Sequence, residues 1–251
     1  MKRFENRVAI VTGAGMGIGK STALRLASEG AAVMLCDISE QELEKTAQEI
    51  KEMGGVCDTS VFDLLCSDAI YATVDKTVKV FGKVDILVTA AGGSAALLKK
   101  ITDFKDSQKA TRDWVIGLNL TSTMDFAHAA IQNMIKNNYG KIINITSIAA
   151  VCGIKQRADY SAAKAGIVAM SKTLAMELGK YNISVNCVSP GAISRGGYHV
   201  DNMTYYGQNG RMGEPDEVAG LVAYLASPEG DFITGQEYVI DGGRCLGPKA
   251  Y

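Results

Sequence analysis

Apolar positions in the first ninety residues gather in short runs separated by amphipathic stretches. Arg7 to Thr12 is a short β-branched run, and it, Ala32 to Cys36, Val56 to Phe62 and Val84 to Thr89 predict strands. Between them lie helical patterns from Lys20 to about Glu29, Glu40 to Met53 and Ser67 to Val80. The order βαβαβαβ implies a parallel sheet with helices on both faces, the doubly wound α/β class. Further on, the pattern predicts a long helical stretch from Trp114 to about Asn137 and a fifth strand from Gly140 to Ser147. An apolar, small-residue helix from Tyr160 to about Gly179 follows, then a sixth strand, Asn182 to Ser189, a helix, Pro215 to Ala226, and a last strand, Glu237 to Ile240. Ser94 to Arg112 is lysine-rich and irregular and reads as a solvated loop with a short helix. Ile148 to Asp159 is a linker that would overhang the end of the fifth strand, and 192 to 210 has the polar and aromatic composition of a mobile lid. In sheets of this kind ligands lie beyond the carboxyl ends of the strands, so those ends are where chemistry is expected.

Composition narrows the function classes. With no linker, repeat or low-complexity tract, the 251 residues read as one domain, 1–251. A net charge of −1 offers no basic footprint for nucleic acid. No apolar run reaches membrane length and the start leads straight into a short strand, so a cytoplasmic protein is expected. The six cysteines are scattered without a Cys-x-x-Cys, and only His128 and His199 accompany them, which favours reduced thiols over disulfides and gives no metal site.

Three stretches carry candidate chemistry. Thr12-Gly13-x-x-x-Gly17-Ile18-Gly19 lies between the first strand and its helix, where backbone amides and a helix N-terminus can receive a diphosphate. The spacing is not G-x-G-x-x-G, and an ordinary glycine-rich turn is the plain alternative. Asp37 ends the second strand, 37 − 19 = 18 residues past the last glycine. A carboxylate there can accept from an adenosine ribose 2′-hydroxyl and repel a 2′-phosphate, favouring NAD over NADP, or it can cap the helix beginning near Ser39. The lack of a basic residue at Met16 or Ile38 leans toward NAD. Finally, Tyr160 and Lys164 are four apart in a helix and share one face. A nearby cation favours a phenolate, and bringing a phenol from about 10 to neutrality takes ~4 kcal/mol, which one charge at ~4 Å supplies at an effective dielectric of ~20. Ser147 stands at a strand end 160 − 147 = 13 residues earlier, while Asn119, a polar residue in an apolar helix, means little alone.

Together these residues resemble the short-chain dehydrogenase/reductase family in its form of about 250 residues. The glycine turn, Asp63, Asn119, Ser147, Tyr160-x-x-x-Lys164, Pro190-Gly191 and Asp241-Gly242-Gly243 stand in that family's order and spacing. The resemblance implies a seven-stranded Rossmann sheet and a homotetramer formed through helices around 119–137 and 159–179, with the C-terminal strand at a second interface. It makes Tyr160 the general acid and base, with Ser147 holding the substrate oxygen. Lys164 would lower the phenol's pKa and hold the nicotinamide ribose, and Asn119 would position a relay water. Gly13, Gly17, Ile18 and Gly19 would receive the pyrophosphate of NAD(H), Asp37 the adenosine ribose, and Asp63 and Leu64 the adenine. Ala91, Gly92, Pro190, Gly191 and Ile193 would lie along the nicotinamide half.

Two departures from the family pattern stand out. Ala90-Ala91-Gly92 lacks the usual asparagine, which would loosen that strand end, and Arg195 replaces a threonine that holds the nicotinamide carboxamide, with Ser194 as a substitute. Arg195 could instead reach the pyrophosphate or a substrate carboxylate. The expected activity is NAD(H)-dependent interconversion of a secondary alcohol and a ketone, of polyol, sugar or hydroxysteroid class. A 3-oxoacyl carrier-protein reductase and a non-catalytic NAD sensor are the alternatives. No nucleic acid or membrane partner is expected.

Overall fold

We describe residues 2–194 and 207–247 of a computed structural model of the chain. Seven strands form one sheet in the order β3-β2-β1-β4-β5-β6-β7. They are β1 (Val8–Thr12), β2 (Ala32–Asp37), β3 (Val56–Val61), β4 (Ile86–Thr89), β5 (Gly140–Ile145), β6 (Ile183–Pro190) and β7 (Glu237–Ile240). Every pairing is parallel, with Val11 opposite Leu35 on one side and Val88 on the other. β1, β4, β5 and β6 are buried throughout; β1 and β4 are nearly continuous apolar runs, whereas β5 buries Lys141 and Asn144 and β6 buries Ser184, Asn186 and Ser189 among their apolar residues. At the edge, β3 carries Asp58, Thr59 and Ser60 and is partly exposed, a composition that discourages pairing with another chain.

Side chains alternate across the sheet and divide the core in two. Ala9 and Val11 of β1 pack with Leu35, Ile50, Val88 and Val222, whereas Ile10 packs on the other face with Met34, Leu87, Phe126 and Ile142. The helices are α1 (Gly17–Ser28), α2 (Glu40–Glu52), α3 (Ser67–Phe81), α4 (Lys109–Ile116), α5 (Ser122–Asn137), α6 (Ala149–Cys152), α7 (Ala158–Leu178) and α8 (Pro215–Ala226). Strand order reverses between β1 and β4, and that reversal opens a crevice at their carboxyl ends.

The helical stretch expected over Trp114–Asn137 begins earlier, at Lys109, and is interrupted by a π-helical turn, Gly117–Thr121. Asn119 supplies the reason. Its side-chain Nδ2 donates to the Val115 carbonyl at 2.8 Å, the acceptor that its own backbone amide would use in an α-helix. The loop expected over Ser94–Arg112 holds two 3-10 turns, Ala95–Leu98 and Phe104–Asp106, and the linker Ile148–Asp159 holds α6.

Candidate active site

The glycine turn leaves β1 with Gly13 at φ +68° and enters α1 at Gly17, φ +56°. A Cβ on Gly19 would lie 2.1 Å from the Gly13 carbonyl oxygen, and one on Gly13 3.0 Å from the Ala91 Cα, so side chains are excluded where the turn meets the end of β4. Gly17, by contrast, faces open space. No side chain caps the N-terminus of α1 and its first turn has no acid, so its amides are available to an anion. Ile18 turns inward onto the first core. This cradle fits the diphosphate of a dinucleotide.

Asp37, the last residue of β2, accepts from the Gly15 amide through Oδ2 and from the Ser39 amide through Oδ1, each at 3.0 Å. Ser39 is the cap of α2, accepting from the Glu42 amide, so the capping alternative for Asp37 is replaced by a carboxylate held beside the glycine turn. Asp63 is exposed just beyond β3 and accepts from the Leu65 amide at 2.9 Å, while Leu64 packs on the second core.

At the end of β4 the expected loosening is absent. Thr12 Oγ1 accepts from both the Ala90 and the Ala91 amides at 3.0 Å, and this hydroxyl holds the strand end where the family's asparagine is missing. Thr12 also heads the glycine motif, and nothing in the sequence ties its hydroxyl to the end of β4, 78 residues away. Asn119 is fully buried and clasps Gly93, donating to its carbonyl at 2.7 Å and accepting from its amide at 3.1 Å. Both amide hydrogens of Asn119 are thereby committed, one to Gly93 and one to Val115. Any water held by this side chain must use Oδ1.

Lys164 comes to the same place from α7. A Cβ on Gly92 would lie 2.5 Å from Asn119 Oδ1 and 3.4 Å from Lys164 Nζ. The lysine is buried, donates to the Ile145 carbonyl at 2.9 Å and lies 5.7 Å from the centre of the Tyr160 ring. Burial pulls its pKa down to about 8. Ile145 ends β5, and two residues later the half-exposed Ser147 accepts from the Ala149 amide, starting α6. The Ile148 amide donates to the Pro190 carbonyl at 3.1 Å and the Gly191 amide to the Ile240 carbonyl at 2.9 Å. Contacts between neighbouring strand ends thus run from Ser147 to Pro190-Gly191 and on to Asp241, which a Cβ on Gly191 would meet at 2.8 Å.

Loops close over this edge. Arg157 donates to Ser94, and Gln156 donates to Asp103 at 3.0 Å, joining the segments after β4 and β5. Leu97, Phe104 and Val151 are exposed on those segments. A cavity of about 200 Å³ is lined by Ile193, Arg211, Glu217 and Asp241 among others, and by neither Tyr160 nor Lys164. Glu217 is held down to about 2 by hydrogen bonds from Arg211 and the Glu214 amide. Ser194 is buried and gives its hydroxyl proton to Glu214, so that proton is not free for a carboxamide. Arg195, Tyr198, His199 and most of the expected lid lie outside the described residues.

A family model described as enoyl-(acyl carrier protein) reductase matches residues 13–244. The BbsD subunit of a hydroxy(phenyl)methylsuccinyl-CoA dehydrogenase from Thauera aromatica is 38% identical, over 97% of this chain and 98% of its own. The 3-oxoacyl carrier-protein reductase FabG of Thermotoga maritima is 36% identical over 97% of this chain and 100% of its own. Among solved structures, an NAD+-bound xylitol dehydrogenase superposes with a TM-score of 0.88 at 33% identity, covering 96% of this chain and 100% of its own. The fold, the site and these likenesses define the class: the chain belongs to the short-chain dehydrogenase/reductase family of oxidoreductases.

Proposed function

We propose that this protein is an NAD(H)-dependent oxidoreductase that interconverts a secondary alcohol and a ketone. The observation that carries the reading is the buried Lys164 ammonium, one helical turn from Tyr160 and beside Gly92 at the crevice. A bound nicotinamide dinucleotide supplies the two-electron redox chemistry. Tyr160 delivers a proton from its Oη to the substrate carbonyl oxygen in reduction and takes one from the alcohol in oxidation. The Lys164 charge favours the phenolate, and the Ser147 hydroxyl donates to the substrate oxygen and holds it before Tyr160. Gly13, Gly17 and Gly19 receive the diphosphate, and Ala91, Gly92, Pro190, Gly191 and Ile193 border the nicotinamide half.

NAD is favoured by Asp37, whose carboxylate lies at the glycine turn with exposed Met16 and Ile38 nearby in sequence instead of cations. Exposed Leu97, Phe104 and Val151 on the loops at the carboxyl edge favour a substrate with an apolar body, such as a hydroxysteroid, over a polyol. An acyl thioester is the second reading, favoured by the names of the Thauera and Thermotoga relatives. Exposed Met124 on α5 and Met176 on α7 support assembly through those helices as a homotetramer, which light scattering tests.

The test is reduced-nicotinamide absorbance with NAD and then NADP across hydroxysteroids, polyols and 3-hydroxyacyl thioesters. Turnover with NAD on one class supports the reading and names the substrate, and turnover with NADP alone on thioesters replaces it with the second. Tyr160→Phe is expected to abolish turnover while NADH still binds. Full activity in that variant removes the mechanism, and NADH binding without turnover on any class returns weight to a sensor.

A further inference from the structure

The segment after Ser147 and the turn after β7 each present a cysteine to the other. Cys152 closes α6, and Cys245 sits in the 3-10 turn Arg244–Leu246, 245 − 152 = 93 residues later. Their sulfurs are 3.8 Å apart, the one pair of thiols in contact among the described residues. We propose that Cys152 and Cys245 are a peroxide-oxidised modification site that closes as an intramolecular disulfide.

Closing the bond brings the sulfurs from 3.8 Å to about 2.05 Å. The local backbone favours that adjustment: Gly153 follows Cys152 at φ +67°, and Gly243 and Gly247 flank the other turn at φ +82° and +127°. Exposure orders the two thiols. Cys152 is exposed and open to a small oxidant, whereas Cys245 is half-buried and pushed up to about 12 by burial and its contacts with Asp241 and Cys152. Cys152 therefore reacts first.

Its thiolate attacks one oxygen of hydrogen peroxide. An S–O bond forms, the O–O bond breaks, and water leaves after protonation, giving a sulfenic acid. The Cys245 sulfur then attacks the Cys152 sulfur, forming S–S and breaking S–O, and a second water leaves with the Cys245 proton. Two thiols have lost two electrons and two protons, and peroxide has become two waters. The bond fastens the loop that follows the candidate catalytic serine to the turn that follows β7.

The test is made on the purified full chain and needs no substrate. After a hydrogen peroxide titration and alkylation of free thiols, non-reducing peptide mass spectrometry is expected to find the Cys152–Cys245 cross-link first. Titratable thiols should fall by two per chain and return with dithiothreitol. In Cys245→Ser, peroxide is expected to leave a sulfenic acid on Cys152 that dimedone captures, and in Cys152→Ser both the adduct and the cross-link should be absent. The proposal is overturned if Cys152 runs on to sulfinic acid in the wild type while Cys245 stays alkylatable, or if the first cross-link uses Cys66. The wild-type digest reads these outcomes even if a serine variant folds poorly.

Discussion

The Asp37 carboxylate accepts from the Gly15 amide at 3.0 Å, which fixes a negative charge at the rim of the glycine turn. A 2′-phosphate brought there meets that charge with no side-chain cation from Met16 or Ile38, while a 2′-hydroxyl meets an acceptor. Asp37→Ser is therefore expected to lower kcat/KM with NAD and raise it with NADP, moving their ratio by at least about tenfold, or ~1.4 kcal/mol. Steady-state kinetics with both cofactors measures it, and an unchanged ratio takes the discrimination away from Asp37.

Gly92 has no room for a side chain. Gly92→Ala puts a carbon 2.5 Å from Asn119 Oδ1, and the amide has to release Gly93. Breaking those buried bonds should lower stability by about 1–3 kcal/mol and cut turnover as the Lys164 surroundings shift. Gly220→Ala is the control, since Gly220 lies in α8 with open space at its Cβ and is expected to be neutral or stabilising by about 0.5–1 kcal/mol. Denaturation midpoints of the two variants check the contrast.

What could be read from the chain alone was local or periodic. β1 and β4 announce themselves as apolar runs because both faces of the sheet are covered, and Tyr160 and Lys164 share a face because a helix repeats nearly every four residues. The pieces that stayed hidden depend on contacts between distant residues. The π turn exists because Asn119 reaches both Val115 and Gly93, and the β4 end is firm because of a hydroxyl on β1. The Ser194 hydroxyl donates to Glu214 across 20 residues and Cys152 meets Cys245 across 93, pairings that no local pattern announces.

At the end of the sheet opposite the site, Asp85 is buried and takes Arg7 and Lys83, each at 3.0 Å, and the Val8 amide at 2.9 Å. Arg7 in turn stacks 3.6 Å from the Tyr139 ring centre. Asp85→Ala leaves the Val8 amide without its partner and two cations unpaired, a loss of roughly 3 kcal/mol. Because the cluster is remote from the crevice, kcat of the folded fraction should be unchanged. A urea midpoint that does not move would show that water replaces the carboxylate at little cost.

Lys164 sets stability against function at one residue. Burial lowers its pKa from 10.5 to about 8, so between those values the unfolded chain binds the proton and the folded chain does not. Stability from this group accordingly rises as pH increases from 8 to 10.5, and below pH 8 the buried ammonium costs the folded state about 3 kcal/mol. Lys164→Met removes the charge at the price of the bond to the Ile145 carbonyl. The variant should lose turnover yet be more stable than wild type by about 1–3 kcal/mol at pH 7, with the advantage shrinking toward pH 10. Urea midpoints of both proteins at the two pH values decide it. A gap that is the same at pH 7 and pH 10 means Lys164 does not titrate in that window, and the cation proposed to act on Tyr160 is then not a strained one.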